Sequence, residues 1–326
     1  MKKIITPLFA IGLLLFSCQK NTEPSMDPAS EETGVPGQRI CYSNEVLQEQ
    51  LKADPGLADR MNRIEAFTQQ FIDNPNAARL LPDGTIEIPV VVNVLYKTAA
   101  QNISDAQIQS QIDVLNQDYS ATNSDYGNIP AIFQPVASGN IGIRFVLDQV
   151  VRKSTTKTSW KTNDAMKKSS QGGINPTSPT TKLNLWVCNL SGGILGYAQF
   201  PGGSSATDGV VCDDNATGTT GTAAAPFNKG RTATHEIGHW LNLRHIWGDA
   251  TCGNDFCGDT PLHNAANYGC PAAGHKSTCT GTPVEMTMNY MDYTDDACMY
   301  MFSANQKTRM LAVFAVGGPR NSFAQP

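Results

Sequence analysis

The chain has 326 residues, a net charge of −5 and 40% hydrophobic residues, enough apolar material for one or two packed domains. Only 16% of residues are charged and no cluster of Lys and Arg stands out. That removes nucleic acid as a main partner, because phosphate binding needs concentrated basic side chains.

In chain order, Lys2 and Lys3 precede an apolar run, Ile4 to Phe16, too short to span a bilayer comfortably. Residues 1–17 therefore read as a signal peptide. The end of the run, Leu15-Phe16-Ser17-Cys18, resembles the lipobox of bacterial lipoproteins, in which the cysteine is lipidated and becomes the mature N-terminus. An ordinary signal peptide with an incidental cysteine is the alternative. Residues 18–40 are polar and rich in Pro, Ser and Glu, the composition of a flexible tether. Residues 41–78 carry apolar side chains at helical spacing over Glu45–Lys52 and Leu57–Ile72, with Pro55-Gly56 between them. A small helical segment is expected there, with an exposed linker at 74–79.

The texture then changes. Thr85–Tyr96 is rich in β-branched residues and predicts a strand. Ser104–Tyr119 predicts a helix capped by Ser104, with Ile108, Ile112, Leu115 and Tyr119 on one face. Ile141–Val151, Leu183–Leu190, Gly196–Phe200 and Gly209–Cys212 predict further strands, and 154–180 a long surface loop. This order argues for an α/β layer with a mostly parallel sheet. A helix is expected from Thr232 to Leu241. Irregular chain rich in Gly, Asp, Asn and Cys follows over 247–284. A last helix spans Ser303–Val316, with Ser303 and Gln306 as a capping box.

Residues 235–245 read His-Glu-Ile-Gly-His-Trp-Leu-Asn-Leu-Arg-His. His235 and His239 are one helical turn apart, so a single face presents both imidazoles to one point. Glu236 beside them reaches a metal-bound water without ligating the metal, the arrangement of a metallopeptidase. His245 lies beyond that face, so the chain must turn after about Leu241. Three neutral imidazoles leave the fourth zinc position open, as a catalytic site requires. Two surface histidines with an accidental glutamate are the bland alternative. The crowding of three of the chain's five histidines into this stretch opposes it.

These residues resemble the metzincins, whose long motif ends in a third histidine and is followed by a methionine turn. Asn242 stands where those proteins carry glycine, and Asn is the next most tolerant residue for a left-handed turn. The stretches Gly196-Tyr197-Ala198-Gln199-Phe200-Pro201, Asp255 to Pro261, Gly269-Cys270-Pro271 and Asn289 to Phe302 narrow the resemblance to the pappalysin family, ulilysin-like bacterial enzymes included, over about 80–316. The resemblance implies a metzincin-type zincin with a twisted, mostly parallel five-stranded sheet and an active-site helix. Residues 79–242 would form the N-terminal subdomain, and 243–326 an irregular, disulfide-linked C-terminal one.

It also implies roles. Met291 is the apolar floor beneath the ligands, Tyr293 helps hold the oxyanion, and Gly196, Tyr197 and Ala198 bind an extended substrate. Asp296 favours Arg or Lys after the scissile bond, with a surface acid as the alternative. A structural calcium is implied, and Asp255, Asp259 and Thr260 offer it hard oxygen ligands, with a solvated acidic turn as the alternative. The pairings Cys252–Cys279 and Cys270–Cys298 are implied too.

Cys188 and Cys212 end two strands that could be neighbours, so Cys188–Cys212 is a possible third bridge. Cys41 admits two readings. Its thiolate fills the open zinc position and keeps the enzyme latent until cleavage near Ala78-Arg79, or it pairs with Cys257. The expectation is thus an exported or envelope-anchored zinc endopeptidase acting on proteins or peptides. It is expected to be a monomer that touches membrane only through its lipid anchor.

Overall fold

The computed structural model describes residue 1, residues 37–74 and residues 85–324. The expected signal peptide with Cys18, most of the tether and the Ala78-Arg79 linker lie outside those residues. Among the described residues, no helix is long and apolar enough to cross a membrane.

Two helices come first, α1 (Ser43–Ala53) and α2 (Leu57–Asp73). Then follow β1 (Ile86–Tyr96), α3 (Asp105–Ser120), β2 (Ile143–Ser154), β3 (Leu183–Cys188), β4 (Gly196–Ala198) and β5 (Val210–Asp213). The catalytic-motif helix α4 (Arg231–Trp240) and a last helix α5 (Ala304–Ala312) complete the set. The five strands form one sheet in the order β2-β1-β3-β5-β4, parallel throughout except for β4, which runs against β5. This is the expected α/β fold with a mostly parallel sheet.

Parallel strands must be covered on both faces. On one face Ile108, Ile112, Leu115 and Tyr119 of α3 join Ala233, Ile237 and Trp240 of α4 against Val90, Val92, Leu185 and Cys212. On the other face α1 contributes Val46, and here the expected surface loop of 154–180 is partly core. Its residues Trp160, Met166 and Ile174 bury against Trp186, Cys188, Tyr197 and Val211. The apolar back of the sheet is covered by this largely irregular chain together with Val46 of α1.

The same two-faced geometry overturns the Cys188–Cys212 bridge. In the β3–β5 register Cys212 lies opposite Val187, one residue out of step with Cys188. Successive side chains on a strand point to opposite faces, so Cys212 joins the helix-covered core and Cys188 the loop-covered one. Both are free, buried thiols. Cys252–Cys279 and Cys270–Cys298 are bonded as the resemblance implied. The alternative Cys41–Cys257 pairing is not formed, since both cysteines are free.

Candidate metal centre and active site

The centre is built on α4, which is short and wholly buried. Its end is set by Asn242, at φ 73°, in the left-handed conformation that Asn tolerates better than other residues bearing a Cβ. The Leu243 N–H returns to the Gly238 carbonyl at 2.9 Å, and the turned chain brings His245 back beside His235 and His239. The methionine turn lies directly beneath. A Cβ on Gly238 would stand 2.4 Å from the Met291 sulfur, so that helix position must be glycine for Met291 to fit.

Each imidazole is fixed from behind. His235 Nδ1 meets the Tyr290 carbonyl at 2.6 Å, His239 Nδ1 the Leu243 carbonyl at 2.8 Å, and His245 Nδ1 the Asp249 carboxylate at 2.5 Å. Carbonyls and carboxylates only accept, so every Nδ1 carries the proton and every Nε2 presents a lone pair. Those lone pairs converge: His239 Nε2 lies 3.1 Å from both His235 Nε2 and His245 Nε2. Burial and mutual repulsion hold His235 and His239 far below the ordinary imidazole pKa, so protonation does not relieve the clash. A cation does, and three neutral imidazoles are a zinc donor set. The donor set therefore fits the ion.

Cys41 completes a group of four whose ligand atoms all lie within 4.8 Å of one another. Among the described residues no other group of three or more His, Cys, Asp or Glu is placed to hold a metal. Burial first, and then Glu236, push the Cys41 thiol pKa up; a dication among the imidazoles opposes both by stabilising the thiolate.

The propeptide reaches this point as an extra strand. Leu195 N–H donates to the Ile40 carbonyl at 3.0 Å and Tyr42 N–H to the Gly196 carbonyl at 3.1 Å, so residues 40–42 run parallel to β4. Gly196 lets β4 pack against Glu236, because a Cβ there would lie 2.8 Å from the Val211 carbonyl oxygen and 2.9 Å from Glu236 Cγ. Ser43 Oγ accepts from Ala198 N–H and donates to Glu236 Oε2, both at 2.8 Å. The Cys41 thiol is 3.3 Å from the same oxygen. Burial pushes Glu236 up to about 7. Tyr293 OH donates to the Cys41 carbonyl at 2.9 Å. The Tyr197 hydroxyl reaches Asp164 at 2.9 Å and its ring is buried in the cluster that holds Val46 of α1, while its neighbours Gly196 and Ala198 bond residues 42 and 43.

The expected tether ends before residue 40. Arg39 is 1% exposed, because its guanidinium is drawn into a buried acidic pocket. It donates to Asp296 Oδ1 at 2.5 Å, to Thr232 Oγ1 at 3.1 Å and to the Thr294 carbonyl at 3.2 Å. Asp296 is no surface acid: it is fully buried, and its second oxygen accepts from Lys229 N–H at 2.7 Å. Arg39, Ser43 and Asp249 were missed in the sequence. Residues 39 and 41 are two apart on the extended segment that leads into α1, a spacing that puts both side chains on one face.

The acids considered for calcium have other partners. Asp255 accepts from Thr260 Oγ1 at 2.9 Å and Cys257 N–H at 3.0 Å, and Asp259 accepts from Ser303 Oγ and Asn305 N–H at the start of α5.

Comparison with known proteins decides the family. The family model described as "Pregnancy-associated plasma protein-A" matches residues 180–315. An "Extracellular metalloprotease" of Pyricularia oryzae is 35% identical over 235 residues, covering 69% of this chain and 72% of its own. The chain belongs to the pappalysin family of metallopeptidases. Among solved structures, this pappalysin is similar to Tannerella forsythia mature mirolysin in complex with a cleaved peptide, at 45% identity and a TM-score of 0.71. That match covers 74% of this chain and 96% of the mirolysin chain. A Tannerella forsythia promirolysin mutant matches at 41% identity and a TM-score of 0.79, over 88% of this chain and 97% of the other. The longer match takes in more of this chain, as a shared propeptide requires.

Proposed function

We propose that this pappalysin is an exported zinc endopeptidase that cuts peptide bonds on the amino side of Arg or Lys, made as a zymogen held latent by Arg39, Cys41 and Ser43. The observation that carries the reading is the Arg39 guanidinium seated on buried Asp296, two residues before a thiol aimed at the histidine cluster. A buried carboxylate with a fixed geometry selects a guanidinium or ammonium partner over neutral side chains.

Direction explains why the propeptide is held and not cut. Along the propeptide, the pocket residue Arg39 comes before the metal-facing Cys41. A substrate with its residue after the cut in that pocket must run the other way, from the metal centre to Asp296, and therefore antiparallel to β4. The propeptide fills the cleft in reverse and offers no scissile bond in the productive sense.

Zinc, when bound, supplies Lewis acidity that polarises the substrate carbonyl and acidifies water. Glu236 accepts the water proton and returns it to the leaving amine. Tyr293 OH, which holds the Cys41 carbonyl in the zymogen, donates to the developing oxyanion. The β4 groups Gly196 C=O and Ala198 N–H hold the substrate backbone. Release of the propeptide frees Glu236, the β4 edge and the pocket together. Relatives named extracellular metalloproteases support export, and anchoring at Cys18 completes the reading.

The test is cleavage of a peptide library by the mature enzyme, with products read by mass spectrometry. The wild type is expected to cut before Arg and Lys. Asp296→Ala should lose that preference by ~100-fold or more, and Glu236→Ala should lose hydrolysis by ~1,000-fold while still binding zinc. An Asp296→Ala enzyme that still favours Arg after the cut refutes the pocket assignment.

A further inference from the structure

The propeptide covers a second part of the cleft, on the far side of the histidines from Asp296. The order of contacts along β4 fixes this. Leu195 bonds Ile40, Gly196 bonds Tyr42, Ala198 bonds Ser43, and Gln199 bonds Gln50 at 3.4 Å. Next comes Phe200, buried in a cluster with Leu47 of α1 and Leu57 of α2, and flanked by Leu51 and Met61. The Phe200 ring packs on His239, with centroids 5.2 Å apart, and the Arg244 guanidinium lies over it at 4.5 Å. The neighbouring Gly202 carbonyl takes Arg60 Nε at 2.7 Å, which clamps α2 down on this wall.

We infer that Phe200, roofed by Arg244, is a specificity subsite on the amino-terminal side of the scissile bond that takes a bulky aliphatic side chain. This rests on the cleft direction argued above. When α1 and α2 leave, Phe200 loses its leucines and faces the cleft beside a metal ligand. A substrate side chain that restores that burial gains the free energy of removing apolar surface from water. The present occupants, two leucines, define the chemistry. The Arg244 guanidinium over the ring works against basic side chains. The enzyme would thus read two features of one segment, an aliphatic residue within about three positions before the cut and a basic residue after it.

The test uses mature enzyme and peptides with a fixed Arg after the cut and Leu, Met, Gly, Asp or Lys scanned through the preceding positions. At one position Leu and Met should exceed Gly and Asp in kcat/KM by roughly tenfold or more. Phe200→Ala should flatten that ratio, and Phe200→Leu should restore it. Equal turnover of all these peptides by wild type, or an undiminished ratio in Phe200→Ala, overturns the subsite. Binding of the same peptides to mature Glu236→Ala, measured by calorimetry, needs no turnover. If the wild type hydrolyses nothing, the peptidase reading fails, and the subsite stands or falls on whether the Leu peptide binds tighter than the Gly peptide.

Discussion

Each imidazole of the centre has its Nδ1 held by an acceptor, and that contact decides which nitrogen meets the ion. For His235 and His239 the acceptor is main chain; for His245 it is the Asp249 side chain, the one support of the three that mutation removes. Asp249→Ala should weaken zinc affinity by ~10- to 100-fold with the fold intact, measured by competition with a chromophoric chelator. Unchanged affinity would remove Asp249 from the site. At this scale the sequence was informative where spacing carries chemistry, as in residues 235–245, and blind where a partner arrives from far away. Arg39 meets Asp296 across a separation of 257 residues, and no local pattern announces such a pair. Cys188 and Cys212 show the converse error: adjacent strands were foreseen, but a one-residue offset in register decides which face each thiol occupies.

The elements themselves were largely legible, because hydrophobic period and caps are local properties. Ser104 caps α3 by accepting from Gln107 N–H, and Ser303 and Gln306 form the capping box on α5. The segment 154–180 was not legible as core, since nothing local says that a sheet face will be covered largely by irregular chain. The seam between α3 and α4 carries a pH-dependent term. Asp118 Oδ2 accepts from Thr234 Oγ1 at 2.8 Å, and the Asp118 carboxyl lies 3.6 Å from Arg231. Burial outweighs these partners and raises the carboxyl pKa from 3.8 to about 6. The folded chain then binds more protons than the unfolded chain between those values, so this group's contribution to stability is lost as pH rises from 4 to 6. Asp118→Asn removes that dependence. The variant's stability relative to wild type should improve by on the order of 2 kcal/mol between pH 4 and pH 8, read from urea midpoints. A difference that is constant with pH would show that Asp118 titrates alike folded and unfolded.

At the scale of the whole molecule, the propeptide is held at the Phe200 wall and in two further places. The first is the strand at the active site. The second is α2, where Glu65 pairs with buried Arg309 of α5 at 2.8 Å and Phe71 packs on Ala312 and Ala315. The proposed latency rests on the first: Cys41, Ser43 and Arg39 each occupy a group that the proposed reaction or its specificity uses. Cys41→Ser removes the one of the three that faces the histidine cluster and should shorten the lag before activity appears in full-length protein by ~10-fold or more, followed with a quenched peptide. An unchanged lag would assign latency to α2 instead.

The most direct test of the account is zinc K-edge absorption spectroscopy on the full-length protein and on the mature enzyme, each with its zinc stoichiometry measured. The account predicts one zinc per chain in both, with three nitrogens and one sulfur around it before activation. After activation it predicts three nitrogens and light oxygen scatterers with no sulfur. A full-length protein without stoichiometric zinc, or with zinc that keeps the same shell after the propeptide has gone, would contradict it.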